Sequence, residues 1–84
     1  MSPEQVEAEV QSMLLRPYHR VIRGEPVEGY LGEVVELPGC YTAGATAQEA
    51  LTNLDEAMAV WIESALVHGD PIPQPAVGQV VVSA

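Results

Sequence analysis

The sequence predicts an α+β domain in which one long helix packs on an antiparallel sheet. Three observations carry that expectation. Residues 46–69 place apolar side chains at three- and four-residue spacing. Three short segments before them are rich in β-formers and are separated by Pro and Gly. A Pro-rich connector after them leads to a last Val-rich segment, which returns the chain to the sheet as a fourth strand.

Residues 2–15 read as a short helix. Ser2 is placed to cap it, Pro3 suits the first helical position, and Gln5 completes a capping box. Val6, Val10, Met13 and Leu14 share a face, and Pro17 stops the helix. Residues 18–23 read as a strand, with a turn marked by Gly24, Glu25, Pro26 and Gly29. Residues 30–36 form the second arm of that hairpin, broken by Pro38 and Gly39. A short third strand at 40–43 ends at Gly44.

The long helix at 46–69 opens on a second capping box, Thr46 with Glu49. Leu51, Leu54, Met58, Trp61, Ile62, Ala65 and Leu66 give its apolar face, and Gly69 with Pro71 closes it. Residues 70–76 form a stiff extended connector, and 77–82 the last strand. The whole is one domain over 1–84, with 2–15 an N-terminal helical extension and 18–84 the sheet-plus-helix core.

Apolar residues make up 48% of the chain, yet Phe is absent and Trp61 is the single Trp, so the core is aliphatic. A core this small gains from association, and a homo-oligomer is expected. Twelve acids face three bases, with no Lys, for a formal net charge of −9. That balance repels phosphate backbones and disfavours direct nucleic-acid binding. It attracts a basic protein, or it simply keeps a small protein in solution. No apolar run is long enough to span a membrane, and the N-terminus lacks the basic start of a signal peptide. A lone Cys40 fits a reducing compartment, so the expected location is the cytoplasm.

The search for chemistry finds no catalytic, cofactor or metal set. His19 lies in the first strand and His68 at the end of the long helix, where a positive ring is favoured by the helix dipole. Cys40 has no nearby His or Lys to activate it and reads as a small, semi-buried residue. Glu25, Glu28, Glu33 and Glu36 spread along the hairpin. Two carboxylates on adjacent strands could hold a divalent cation, but Glu33 and Glu36 point to opposite faces of an ideal strand. Solvated edge charges are the simpler account. The glycines match no phosphate loop and read as turns and a close-packed strand.

One ordered series is more specific than any single residue. It runs Gly29-Tyr30, then Glu36-Leu37-Pro38-Gly39-Cys40, Gly44, Thr46, Glu49-Ala50-Leu51, Asn53, Glu56-Ala57, and Gly69-Asp70-Pro71-Ile72-Pro73. Over residues 18 to 75 the chain resembles the HicB antitoxin family. The resemblance implies a partial RNase H-like fold whose ancestral nuclease carboxylates are out of use. It also implies a partner, a small basic HicA-like toxin that cleaves mRNA, blocked sterically and electrostatically. Many members carry a C-terminal DNA-binding module. This sequence ends at Ala84, soon after the last expected strand, so no direct DNA binding is expected. The helix at 2–15 adds to the family core and either supports oligomer contacts or covers one end of the sheet.

Three functions follow. The first is an antitoxin-like binding module. Its contacts are selected by charge alone, with Glu25, Glu28, Asp55 and Glu56 as candidates. The second is a solitary oligomeric interaction domain without enzymatic activity. The third is a residual metal-dependent nuclease using Glu28, Glu33 or Asp55, which requires those carboxylates to cluster.

Overall fold

The first helix, α1 (Pro3–Leu14), begins with the full capping box. Ser2 Oγ accepts from the Gln5 amide at 3.2 Å, and Gln5 Oε1 accepts from the Ser2 amide at 2.9 Å. The structure is a computed structural model that describes residues 2–75. Its remaining elements are β1 (Arg20–Glu25), β2 (Gly29–Val34), β3 (Tyr41–Gly44) and α2 (Ala47–His68). The three strands form an antiparallel sheet in the order β1-β2-β3, which is the expected α+β class. The fourth strand expected at 77–82 lies outside the described residues.

β1 starts two residues later than the β-former run suggested, because Tyr18 turns into the core. It is 4% exposed, and its hydroxyl donates to the Pro73 carbonyl at 2.7 Å. Arg16 donates to Gln74 Oε1 at 2.8 Å, so the connector after α2 is held against the chain entering β1. β1 also runs further than expected, through Gly24 and Glu25. The hairpin loop is only Pro26–Glu28, and Gly29 closes it at φ +90, a conformation that favours glycine. β2 ends at Val34 because the chain turns there. Leu37 donates to the Val34 carbonyl at 3.2 Å, and Cys40 donates to the Leu37 carbonyl at 3.0 Å.

α2 keeps its expected length. At its start Thr46 Oγ1 accepts from the Glu49 amide at 3.0 Å. The Glu49 carboxylate, however, accepts from the Ala45 amide at 3.0 Å, one residue before the position a full capping box would use. At its end Gly69 sits at φ +72. Asp70 N donates to Ala65 O and Gly69 N to Leu66 O, the paired bonds of a Schellman stop.

The core lies between α2 and the sheet. Ala50, Leu54, Met58 and Ile62 are fully buried against Val34, Leu37, Cys40 and Tyr18. α1 packs along α2 and adds Val6, Val10 and Met13 to the same cluster. Alternation puts Arg20, Ile22, Gly32, Val34, Thr42 and Gly44 on the α2 side, and Val21, Arg23, Leu31, Glu33, Tyr41 and Ala43 on the open side.

Gly44 sets how closely α2 approaches, and Gly32 on the same face does so less strictly. A Cβ on Gly44 would lie 2.5 Å from the Ala50 amide nitrogen and 2.9 Å from Ala50 Cα, both backbone atoms. A Cβ on Gly32 would meet Ile22 Cδ1 at 2.9 Å, the far end of a flexible side chain. Gly44→Ala is therefore expected to lower the unfolding free energy by about 2–3 kcal/mol, since a backbone neighbour cannot yield, whereas Gly32→Ala costs less than about 1 kcal/mol. Urea unfolding checks the pair. Equal losses would show that close helix approach is not what Gly44 provides.

Tyr18 generates a second expectation. Burial pushes its phenol above the ordinary tyrosine value, opposed by Arg16 and aided by Glu36. A raised folded pKa means that folding favours the neutral phenol. Its contribution is complete below the unfolded value of about 10 and is lost as pH rises through the folded value. Stability measured by denaturant should fall across that alkaline window. Tyr18→Phe should remove this part of the pH dependence and cost about 1 kcal/mol at neutral pH.

Candidate functional site

The four carboxylates selected by charge do not form one cluster. Glu25 and Glu28 occupy the tip of the β1–β2 hairpin, where Glu25 Oε1 accepts from the Glu28 amide at 3.2 Å. They border an open recess of about 620 Å³ with Gly24, Gly29 and Tyr30. Asp55 and Glu56 are neighbours on α2 but serve different sides of it. Asp55 accepts from Arg20 Nε at 2.9 Å, on the β1 side. Glu56 lies on the β3 side, with no cationic partner among the described residues.

Arg20 makes Asp55 structural. Its side chain is largely buried and rises from β1 toward α2, where it also donates to the Leu14 carbonyl at 3.2 Å and meets Met58 Sδ at 3.4 Å. One guanidinium thus joins the end of α1, the sheet and α2. The fork of five donors makes that possible, which a lysine would not do.

The other two bases are paired as well. Arg23 meets Glu33 at 2.8 Å on the open face of the sheet, and Arg16 lies 3.9 Å from Glu9. His19, just before β1, contacts Glu36 at 2.7 Å through Nδ1, and its amide donates to the same carboxylate at 2.9 Å. Every Arg of the sequence is therefore engaged internally, and the unpaired charge on the described surface is negative.

The carboxylates of the nuclease alternative are not brought together among the described residues. Glu33 stands on the sheet face away from α2, Asp55 on α2, and Glu28 at the hairpin tip. No three His, Cys, Asp or Glu side chains gather to hold a metal among the described residues. Cys40 is buried, and burial pushes its thiol up against the opposing pull of Arg20, which is the reverse of an activated thiolate. His68 Nδ1 donates locally, to the Ser64 carbonyl 2.7 Å away and one turn back.

One surface combines an unpaired charge, exposed apolar area and free backbone. A groove of about 450 Å³ runs between β3 and α2, lined by Tyr41, Thr42, Asn53, Glu56, Val60 and Trp61 among others. Trp61 is fixed by a 2.9 Å bond from its indole nitrogen to the Pro38 carbonyl. Of these residues the sequence reading selected only Glu56 for a partner-binding role. Val60 was legible as an apolar residue on the polar side of α2, four positions after Glu56. The place of Tyr41 was not legible, because it depends on which strand β3 pairs with and in what register.

Comparison with known proteins gives a family. The family model for HicB-like antitoxins of bacterial toxin–antitoxin systems matches residues 18–83. A UPF0150 protein of Thermoplasma acidophilum is 42% identical over 55 residues, covering 66% of this chain and 80% of the relative. A UPF0150 protein of Synechocystis is 37% identical over 46 residues, 55% of this chain and 58% of its own length. An uncharacterized 14.9 kDa protein of Haemophilus phage HP1 is 38% identical over 47 residues, 56% of this chain and 35% of its own. No solved structure matches.

If Asp55 serves Arg20, the two sides of that bond should differ in cost. Arg20→Met keeps the apolar stem but loses every polar contact, and should lower stability by about 1–2 kcal/mol. Asp55→Asn, on a half-exposed side chain, should cost less than about 1 kcal/mol. Chemical denaturation of both variants decides it. A larger loss from Asp55→Asn would contradict Arg20 as the anchor.

Proposed function

The chain belongs to the HicB-like antitoxin family, and from that membership we propose that it neutralises a small, basic, RNA-cleaving toxin of the HicA-like kind. The family implies a toxin partner in general. The observation that supports a basic one is the charge distribution. The sequence holds three bases and twelve acids, and each Arg is paired within the chain. No described surface is left to attract a nucleic acid, and many carboxylates are left to steer a cationic protein.

Neutralisation acts by occupation, not by chemistry. The carboxylates that a nuclease would need are dispersed, so the acidic body covers the toxin's RNA-binding surface and competes with phosphate for its basic groups. Direct DNA binding has no part in this reading. Homo-oligomerisation of the free chain is compatible with it and is measured by light scattering.

The proposal expects a small basic protein to be encoded beside this gene, and the test pairs the two chains. Synthesis of that protein alone should stop growth and degrade mRNA, and co-expression of this chain should restore both. With purified proteins, RNA cleavage should fall to background near equimolar ratio and recover as salt screens the contact. Cleavage that persists at about tenfold molar excess, far beyond the ratio a tight complex requires, would sink the proposal.

A further inference from the structure

Among the described residues β3 is one of the two edges of the sheet, and its backbone polarity is set by the register. Val34 N donates to Cys40 O at 3.0 Å, so Cys40, Thr42 and Gly44 aim their backbone groups at β2. Tyr41 and Ala43 therefore aim theirs outward. The Ala43 carbonyl accepts from Asn53 Nδ2 at 2.9 Å and retains a second lone pair. The Tyr41 amide and carbonyl and the Ala43 amide have no partner among the described residues. Such an edge is a template for another strand unless it is short, charged or covered.

This edge borders the groove described above. Val60 is 68% exposed on the α2 wall, and Tyr41, whose side chain stands on the open face of the sheet, borders the groove at β3. Glu56 supplies the charge between them. A strand laid along β3 would point alternate side chains into the groove. A Lys or Arg at such a position lays its aliphatic stem over Val60 and Ala57 and its charge on Glu56.

We propose that the β3 edge and its groove take an extended segment of a basic protein partner as an added strand, held by backbone bonds to Tyr41 and Ala43 and by a cationic side chain on Glu56. Charge decides between this occupant and a second copy of the chain. The chain has no Lys, and each of its Arg side chains is already paired internally, so a second copy has no free Lys or Arg to offer Glu56. The inference rests on the antitoxin reading only for the partner's identity; the recognition chemistry belongs to the groove itself.

The probe is a short capped peptide alternating Lys and Val, with a Glu-for-Lys peptide as its control. Trp61 is the single Trp of the chain and lines the groove, so its emission reports binding. The Lys peptide should shift that emission and the Glu peptide should not. Glu56→Lys should weaken binding at least about 10-fold, while Glu7→Lys, the same charge change on α1, should stay within about twofold. Ala43→Pro removes one outward amide without touching the β2 ladder, and should weaken binding if circular dichroism shows it folded. If it does not fold, Glu56→Lys still decides.

Equal weakening by Glu7→Lys, equal binding of the Glu peptide, or a Trp61 signal indifferent to Glu56→Lys overturns the proposal. So does self-association that buries Trp61 and is unchanged by Glu56→Lys, which would make a second copy the occupant. The two readings fail separately. A chain that takes the Lys peptide yet neutralises no toxin keeps the groove and loses the antitoxin role. Full neutralisation by Glu56→Lys does the reverse.

Discussion

The close approach of α2 to the sheet at Gly44 and Ala50 is the constraint from which the other contacts follow. Ala50 is fully buried where a side chain on Gly44 would collide with its backbone. Only a small residue against a missing one lets the first turns of the helix sit this near the strands. From that point Leu54, Met58 and Ile62 follow at helical spacing and reach Val34, Leu37 and Cys40. Asn53 reaches the Ala43 carbonyl from the same turns. A helix standing further off would lose both the core and the cap on the edge strand.

The polar contacts around that core are few and directional. Arg20 joins α1, β1 and α2 through one guanidinium, and Tyr18 holds the connector after α2 against the entry to β1. Each is a long polar side chain whose apolar body fills the core while its tip finds a specific oxygen. Arg20 with Asp55, Arg16 with Glu9 and Arg23 with Glu33 pair every Arg within the chain, and the acids left over give an exterior that suits a basic partner more than an even mixture of signs would.

Much of the fold was legible in the sequence. Both helices were readable because caps and stops are local chemistry: Ser2 with Gln5, Thr46, and Gly69 before Pro71. The strand limits were less so, for reasons seen in particular residues. Tyr18 has the composition of a strand residue but is drawn into the core by the distant Pro73 carbonyl. Val35 and Glu36 follow the β pattern, yet the turn through Leu37 and Cys40 ends β2 at Val34. The Glu49 carboxylate chose the Ala45 amide over the capping-box position, a matter of one residue that spacing does not resolve.

The sequence by itself determined the class of fold, the family and the sign of the surface charge. These depend on residue types in order and on composition, which need no coordinates. Only the tertiary structure decided what each acid does. Asp55 and Glu56 are adjacent and chemically similar, but α2 turns about 100° per residue. That rotation carries Asp55 to Arg20 and leaves Glu56 at the groove beside β3. The same holds for Tyr41, whose exposure follows from its standing on the sheet face that α2 does not cover. Pairing across the chain is a property of three-dimensional neighbourhood, and that is where a list of charged residues becomes a surface.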